Sequence, residues 1–564
     1  MAFGFGFGMP RSFAAPAFTP LSLFTTGVQG AWYDPSDRST LFQDAAGTTP
    51  VTAVEQPVGL MLDKSKGLVL GPELVTNGNF SSNTWWTLTG TVAISSGSLN
   101  FTSALATSGA YRLSFATVGK YYELTFEITS ISSGGVQIGL GDSKGTNRTS
   151  VGIYTQRLLC TGNSNLTLYS VGASTTASVD NVSIKELSGN HAFQTTAASR
   201  PVLSARYNLL TKTEQFDDAV WSKVNTAVLA NTVIAPDGTL TGDKLASNTA
   251  GVFSHQCYKI GITITNAATY TWSVYMKQGE YTWGIVNAYS ATDTRTYFNL
   301  ATGTVGTVAA NSTATITPVG DGWYRCSVTQ TSGAATGGLS VEMTNADNNP
   351  VFAAAVNSGI YIWGASLVVT AQAPAAYQRV NTSTDYDTVG FKPYLLADGV
   401  DDGMVTNSID FTATDKMTVC AGVRKLSDAA RGMLLECGLS INTFRIEAPV
   451  SASSTYTFAS GGSALAAADA AGYSAPITNV VSGIGNISAP AATIRINGAQ
   501  IATNSATQGT GNYGNAPLYL FRRGGATLPF NGRFYGMTVV GKAVTAGELA
   551  SLEAYTNSKT GAFV

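Results

Sequence analysis

The sequence is poor in the residue types that usually carry catalysis or electrostatic recognition. Only two of its 564 residues are histidines, 12% are charged, and the formal net charge is −2. No Lys/Arg stripe alternates with aromatic residues, so the chain lacks the basic face typical of nucleic-acid binding. No apolar run approaches the ~20 residues of a membrane span, and the N-terminus is a poor signal peptide. We therefore expect no nucleic-acid partner and no membrane span.

Cysteine pairing is also missing from the pattern. The chain has five cysteines, an odd number, and they are scattered without a CxxC pair. They are Cys160, Cys257, Cys326, Cys420 and Cys437. A disulfide framework or a metal knuckle is not indicated, and buried free thiols are the simpler interpretation. Such a chain is expected to fold in a reducing cytoplasm.

Catalytic motifs are absent as well. The sequence contains no GxSxG, HExxH or P-loop, and neither His191 nor His255 adjoins a nucleophile motif. His191 lies in a polar segment, where a solvated or hydrogen-bonded role is the default. We expect no enzyme. Because a glycosidase needs only two carboxylates roughly 5 to 9 Å apart, a polysaccharide-degrading enzyme stays open as an alternative.

What the chain does contain is turn formers and aromatic residues. It has 60 Gly, 24 Tyr, 24 Phe and 8 Trp. Thr, Val, Tyr and Trp suit a pleated sheet, while Gly and Asn suit its corners. Short alternating segments such as 121–130 and 269–278 predict several strands per module. The predicted fold class is all-β, with tandem antiparallel β-sandwiches behind an extended N-terminal arm.

A chain of this length needs several cores. We predict the following division: 1–70, an anchoring arm and adaptor; 71–187, a first module; 188–206, a linker; 207–370, a second module; 371–393, a second linker; and 394–564, a last sandwich. The last region carries the one convincing helix, with Thr545 as its cap, Glu548 completing a capping box, and Leu549, Leu552 and Tyr555 on one face.

The two central modules form a divergent internal repeat. The second opens with YNLLTKTEQFDDAVW (207–221) and closes near IYIWGASLVV (360–369). The first opens with GPELVTNGNFSSNTWW (71–86) and closes with VDNVSIKEL (179–187). Each begins with an Asn-Leu or Glu-Leu pair and reaches an aromatic near position fifteen. The order of these segments predicts a duplicated unit.

Several stretches resemble known families. NLLTKTEQFDDAVW, APDGTLTGDKL, GDGWYRCSVT and YIWGASL resemble the carbohydrate-binding-module-like jelly rolls of bacteriophage virion proteins, and ELVTNGNF with VDNVSIKE looks like the same superfamily. LLADGVDDGM, IRINGAQI and GELASLEAY resemble concanavalin-like and laminin-G-like sandwiches. The segment GAWYDPSDRSTLFQDAAGTTPV looks like the start of many tailed-phage fibre and tail-tip proteins. The resemblance implies two jelly rolls and a concanavalin-like sandwich in an oligomeric virion protein.

Sugar-binding jelly rolls stack aromatic rings on the apolar face of a pyranose. The glycan-binding candidates are Trp86, Trp283, Trp85 and Trp221; for each, filling a sandwich core is the competing interpretation. Trp272, Trp323 and Trp363 lie within strand patterns and are predicted to be core.

The resemblance also implies a structural Ca²⁺, with Asn77 and Asp180 as its candidate ligands. The second module has Gly364 and Ala365 at the equivalent position, which argues against a metal there. The aspartates of DGVDDG (398–403) are explained by turn chemistry.

We therefore expect a structural component of a phage virion, a tail fibre or tail tip, that contacts a host-surface glycan or receptor. The arm would bind other virion proteins, and a homotrimer is expected by analogy. One alternative is a capsid decoration or baseplate spacer without a ligand. The second is the polysaccharide-degrading tail enzyme.

Overall fold

The computed structural model describes residues 18–289, 294–369, 377–382, 385–386, 390–439 and 441–563. Residues 1–17 of the predicted arm and much of the second predicted linker lie outside the described residues. The described chain is all-β, built of antiparallel sandwiches. Within it, no helix has the length and apolar character needed to cross a membrane.

The strands follow one another along the chain in five groups. The N-terminal segment holds β1 (Gly30–Tyr33), β2 (Leu41–Phe42), β3 (Gln56–Pro57) and β4 (Leu60–Met61). The first module holds β5 (Leu70–Glu73), β6 (Thr87–Thr89), β7 (Val92–Ser95), β8 (Ser98–Ala104), β9 (Gly109–Arg112), β10 (Tyr121–Leu140), β11 (Ser143–Lys144), β12 (Gly152–Leu159) and β13 (Leu166–Leu187). The next segment holds β14 (Ala192–Phe193) and β15 (Val202–Ser204).

The second module holds β16 (Ser222–Val224), β17 (Thr226–Val233), β18 (Gly242–Ser247), β19 (Val252–Phe253), β20 (His255–Thr263), β21 (Thr269–Lys277), β22 (Trp283–Tyr289), β23 (Arg295–Asn299), β24 (Thr304–Val305), β25 (Ser312–Gly320), β26 (Trp323–Thr331), β27 (Thr336–Thr344), β28 (Phe352–Ala353) and β29 (Gly359–Val369).

The last region holds β30 (Tyr394–Asp398), β31 (Met404–Asp410), β32 (Lys416–Lys425), β33 (Met433–Cys437), β34 (Thr443–Glu447), β35 (Tyr456–Gly461), β36 (Leu465–Ala470), β37 (Ile477–Asn486), β38 (Ala491–Ile496), β39 (Ala499–Asn504), β40 (Asn515–Leu520), β41 (Asn531–Val540) and the helix α1 (Ala546–Thr560). Three short 3₁₀ helices span Pro20–Leu23, Arg38–Thr40 and Ala197–Ser199.

The last sandwich is composite, which the predicted division missed. One of its nine-stranded sheets has the order β3-β15-β30-β41-β32-β37-β38-β39, with β1 also paired to β41. The other has the order β2-β4-β14-β31-β40-β33-β34-β35-β36. The segments predicted as an adaptor and a linker are therefore strands of the C-terminal sandwich. Their apolar side chains join its core: Ala31, Tyr33, Leu41, Val51, Val58, Met61, Ala192 and Leu203.

The register of β1 shows how closely the N-terminal segment is built in. Gly30 lies opposite Val540 and Tyr33 lies opposite Met537. A Cβ atom added at Gly30 would lie 2.0 Å from the carbonyl oxygen of Val539, so only glycine fits against β41 there. The pairing removes an exposed edge that β41 would otherwise present.

Helix α1 fastens the same segment to the sandwich. Thr545 and Glu548 form the predicted capping box: the Thr545 hydroxyl accepts from the Glu548 N–H at 3.2 Å, and the Glu548 carboxylate accepts from the Thr545 N–H at 2.7 Å. Leu549 and Leu552 are buried. Further along, the Tyr555 hydroxyl donates to Asp34 at 3.0 Å, which joins the helix to the chain just after β1.

The two inserted modules have separate cores. In the first, the long strands β10 and β13 pair along most of their length, with register shifts that bend them. The second is two six-stranded sheets, β16-β20-β27-β22-β23-β24 and β17-β18-β29-β21-β26-β25. Trp272, Trp323 and Trp363 are 0%, 1% and 4% exposed, as their strand patterns predicted.

The predicted repeat appears as matching hydrogen bonds in the two modules. Leu74 N–H donates to the Ile184 carbonyl at 3.0 Å, and Leu209 N–H donates to the Leu367 carbonyl at 2.8 Å. The N–H groups of Val182 and Ala365 likewise donate to the carbonyls of Gly78 (2.9 Å) and Thr213 (2.8 Å). Within each closing strand the residue two positions before Ser183 or Ser366 is left-handed, Asn181 with φ 52° and Gly364 with φ 64°. The opening and closing segments are thus equivalent in space.

Candidate functional site

Two of the four tryptophan candidates are core residues. Trp86 is 5% exposed and Trp221 is 1% exposed. Each indole N–H donates at 2.9 Å to the carbonyl nine residues earlier, that of Asn77 in the first module and that of Lys212 in the second. Both rings therefore seal the opening turn of their module. The prediction that they stack on a sugar is wrong, because neither presents a ring face to solvent.

The other two candidates are half-buried. The ring of Trp85 packs edge-on against Trp86 at 4.7 Å, and the Arg112 guanidinium lies over it at 5.3 Å. Trp283 opens β22 and rests on Gly306, where an added Cβ would lie 2.6 Å from the indole. Of the four, Trp283 is the one that keeps some open surface without a guanidinium stacked on its ring, and its role in binding stays a prediction.

The side chains of the two predicted Ca²⁺ ligands accept hydrogen bonds within their own loops. The Asn77 side-chain oxygen accepts from the Ser81 N–H at 3.0 Å and from the Ser81 hydroxyl at 3.1 Å, which occupies both of its lone pairs. Asp180 accepts from the N–H of Asn181 at 2.7 Å. In the described part of the chain, no group of three or more His, Cys, Asp or Glu side chains could hold a metal ion. The assignment of Asn77 and Asp180 as Ca²⁺ ligands stays a prediction.

The aspartates of DGVDDG form a turn, as predicted. One Asp398 oxygen accepts from the N–H groups of Val400 (2.8 Å), Asp401 (3.2 Å) and Asp402 (3.4 Å). Asp402 in turn accepts from the Asp398 N–H at 3.0 Å. All these contacts close the loop after β30.

His191 has a structural role. It is 3% exposed, and its Nδ1 accepts from the Asp63 N–H at 2.9 Å while Nε2 lies 3.1 Å from the Leu187 carbonyl. The imidazole is therefore neutral with its proton on Nε2. Burial lowers its pKa. This ring joins β13 to the chain after β4.

The second module carries a cleft that the sequence did not single out. It has a volume of about 720 Å³ and lies on the outer face of the sheet that contains β20, β27 and β22. Tyr258 on β20 lies opposite Ser340, and Tyr289 on β22 lies opposite Gly338 of the central strand β27. Because neighbouring strands are about 4.8 Å apart, the two tyrosines stand on strands roughly 10 Å apart.

Glycine forms the floor between these two rings. Gly337 lines the cleft, and a Cβ added at Gly338 would lie 2.4 Å from the Lys259 carbonyl oxygen. Neither Tyr258 nor Tyr289 belongs to the apolar core of the module or packs against it. Ile260, which is 57% exposed, adds an apolar rim. The cleft thus has two aromatic walls that lie outside the apolar core of the module.

Polar side chains follow the same outer face toward β23. Glu342 is fully buried and lies 2.9 Å from the Arg295 guanidinium and 3.2 Å from the Asn287 amide nitrogen. At the cleft itself, the Gln256 oxygen accepts from the Ser340 hydroxyl at 3.3 Å. Its amide nitrogen has no partner within the described chain. Gln256 therefore offers fixed donor hydrogens beside the two rings.

One sequence signal could have indicated this face. In β27 the buried core residues Leu339, Val341 and Met343 alternate with Ser340 and Glu342. The alternation places the carboxylate on the side away from the core, where only a partnered or functional group is tolerated.

No family model and no curated protein matches the chain. Among solved structures, the botulinum neurotoxin serotype D binding domain matches 29% of this chain at 7% identity and a TM-score of 0.25. That match spans only 42% of the neurotoxin domain's own length.

The CBM40 of the Ruminococcus gnavus IT-sialidase, bound to alpha2,3 sialyllactose, matches 25% of this chain and 83% of its own length, at 17% identity and a TM-score of 0.21. These similar structures are carbohydrate- or receptor-binding β domains, and at such scores they carry no argument about this chain's function.

Proposed function

We propose that the chain is a structural component of a tailed-bacteriophage virion, a tail fibre or tail tip, that attaches to a host-surface glycan through the cleft of its second module. Adhesion, not catalysis, is the proposed activity. In the particle the N-terminal arm would bind other virion proteins, and the protein would act as a homotrimer. The phage assignment rests on the family resemblance of the adaptor and module motifs.

The observation that carries the glycan proposal is the pairing of Tyr258 and Tyr289 across a glycine floor. Aromatic rings bind the apolar faces of sugars, while amides hold the hydroxyl groups. The cleft supplies both, since Gln256 lies beside the rings. Neither ring belongs to the apolar core of the module, and both stand on the outer face of the sheet. A single weak site would gain avidity from repetition around an oligomer.

The test uses the full chain and two tyrosine variants. Tyr258→Ala and Tyr289→Ala should each lower binding to host cells or to a glycan array about fivefold or more, because a buried aromatic anchor at an interface contributes more than ~1 kcal/mol. Tyr361→Ala is the matched control, since Tyr361 is a half-buried tyrosine on the opposite sheet of the same module. The control should bind like the wild type.

Other results point elsewhere. Equal binding by all three variants would remove the cleft from consideration, and Trp283→Ala would then test the remaining tryptophan candidate. Failure of the wild type to bind any host envelope would favour a capsid decoration or baseplate spacer. Release of reducing ends from host polysaccharide would favour the enzyme. Immunogold electron microscopy of purified particles tests the virion assignment separately.

A further inference from the structure

The described residues that line the cleft of the second module include no charged side chain. Their polar groups are the phenols of Tyr258 and Tyr289, the Gln256 amide and the Thr336 hydroxyl, and the other lining residues are glycine or aliphatic. A ligand in this cleft therefore meets hydroxyls, an amide, aromatic rings and aliphatic carbon, without a counter-charge.

The chain does build a charged cleft elsewhere. A cavity of about 460 Å³ between the N-terminal segment and the first module is lined by Arg148, Arg157 and Glu123, among others. The lack of charge is thus a property of the second-module cleft and does not follow from the low charge content of the chain as a whole.

Charged side chains on the strands of the cleft are engaged elsewhere. Lys259 alternates with the cleft residues of β20, so its side chain leaves the opposite face, where its Nζ donates to the Thr211 hydroxyl. Glu342 on β27 is neutralised by the Arg295 guanidinium at 2.9 Å. An acidic sugar bound in the cleft would lose hydration from its carboxylate without gaining an ion pair, which is costly.

An aliphatic side chain borders the glycine floor. A Cβ atom added at Gly338 would lie 2.9 Å from Cγ2 of Ile260, so this side chain stands beside the floor. On the next strand, Tyr289 lies opposite Gly338. Ile260 is largely exposed, and Val224 and Ala334 extend the apolar lining. The floor therefore has an aromatic ring on one side and aliphatic carbon on the other.

We propose that the cleft binds an uncharged sugar that carries a methyl group, as N-acetylated and 6-deoxy sugars do. The pyranose ring stacks on Tyr289, its methyl group contacts Ile260, and its hydroxyl groups accept hydrogen bonds from the Gln256 amide. Stacking uses the apolar C–H face of the sugar, and the methyl contact removes apolar surface from water. This inference rests on the proposed function, because it names the class of glycan that the same cleft takes.

The test presents the full chain to a glycan array of matched sugars. The array carries neutral hexoses, their N-acetylated and 6-deoxy counterparts, and glycans of uronic and sialic acids. The neutral methyl-bearing glycans should bind about fourfold more tightly than the parent hexoses, which is the gain expected from burying one methyl-sized group. Their affinity should change less than about twofold between about 0.05 and 0.5 M sodium chloride, because no ion pair is screened. The N-acetylated and 6-deoxy arms show which substituent supplies the methyl group.

One variant and a matched control tie the preference to the cleft. Ile260→Ala should remove the preference for methyl-bearing sugars and leave the weaker binding of the parent hexoses unchanged. Ile234→Ala is the control, because Ile234 is a comparably exposed isoleucine of the same module that does not line the cleft. It should bind like the wild type. Both side chains are largely exposed, so neither change should unfold the module.

The possible results separate this inference from the proposed function. Binding confined to acidic glycans, equal affinity for hexoses and their methyl-bearing counterparts, or an unchanged preference in Ile260→Ala would each overturn the inference, while glycan adhesion itself would stand. Failure of the wild type to bind any glycan would refute the proposed function and this inference together.

Discussion

Cutting the chain before Tyr394, at the predicted domain boundary, removes six strands from the two sheets of the last sandwich. These are β1, β2, β3, β4, β14 and β15. The removed segments also contribute six large apolar side chains to the shared core: Tyr33, Leu41, Val51, Val58, Met61 and Leu203. At ~1.5–3 kcal/mol for each fully buried side chain, their loss costs roughly 9 to 18 kcal/mol.

That loss is as large as the whole stability of a typical domain, about 5–15 kcal/mol. A fragment spanning 394–564 should therefore lack a cooperative thermal transition by circular dichroism and should be digested quickly in limited proteolysis. Supplying residues 18–206 in the same cell should restore a folded complex. The fragment 207–369 is the control, because its strands pair only with one another and it has its own core.

A monomeric 394–564 fragment with a sharp transition near that of the full chain would refute this reasoning. It would mean that the N-terminal strands extend the sheets of a sandwich that is already stable without them. If the fragments 394–564 and 207–369 each fold alone, the chain has the simple tandem arrangement of domains that the sequence predicts.

Three further outcomes follow from single contacts. The pKa of His191 is lowered in the folded state, so unfolded chains bind the extra proton as pH falls below about 6.5 and the free energy of unfolding should drop by up to ~1.4 kcal/mol per pH unit. His191→Gln should lose this pH dependence in denaturant titrations across the same window. Asp402, whose pKa is raised to about 6, contributes a pH dependence of the opposite sign in both proteins. Trp86→Phe and Trp221→Phe should each lower the melting temperature of their module, because each removes the equivalent indole N–H to carbonyl hydrogen bond. The lost bond is worth about 1 kcal/mol, and the carbonyl left unpaired adds a desolvation cost. Equal melting temperatures for variant and wild type would contradict a shared structural role. Thr545→Ala should cost about 1 kcal/mol in chemical denaturation by removing the helix cap, and Thr545→Ser should cost much less.

Local patterns predicted the repeat and the helix because their partners are close in sequence. The cap at Thr545 and Glu548 is complete within four residues. The opening and closing segments of each module carry recognisable turn residues, which match in space through Leu74 and Leu209. Such features need no knowledge of the rest of the fold.

The composite sandwich could not be predicted in the same way. β2 is the two residues Leu41–Phe42, too short to show a period of two, and β1 pairs with a strand about 500 residues later in the chain. The assignments of Trp86 and Trp221 as sugar-binding rings failed for a different reason. A tryptophan in a turn-rich opening suggests exposure, yet the repeat already placed Trp86 and Trp221 at one equivalent position, which favours a shared structural role.

The composite sandwich also determines how the modules are held. The first module leaves the sandwich after β4 and returns at β14, and these strands are paired, with Ala192 opposite Met61. The second leaves after β15 and returns at β30, which are paired through Val202 and Leu396.

Each module is therefore inserted between two neighbouring strands of the sandwich, an arrangement that adjacent termini permit. Two attachments restrict rotation far more than one. Under the proposed function, copies of the chain arranged around a symmetric particle would present several such clefts together. Since the gain from several weak sites depends on whether they can engage together, this attachment would favour avidity for a regular surface polysaccharide.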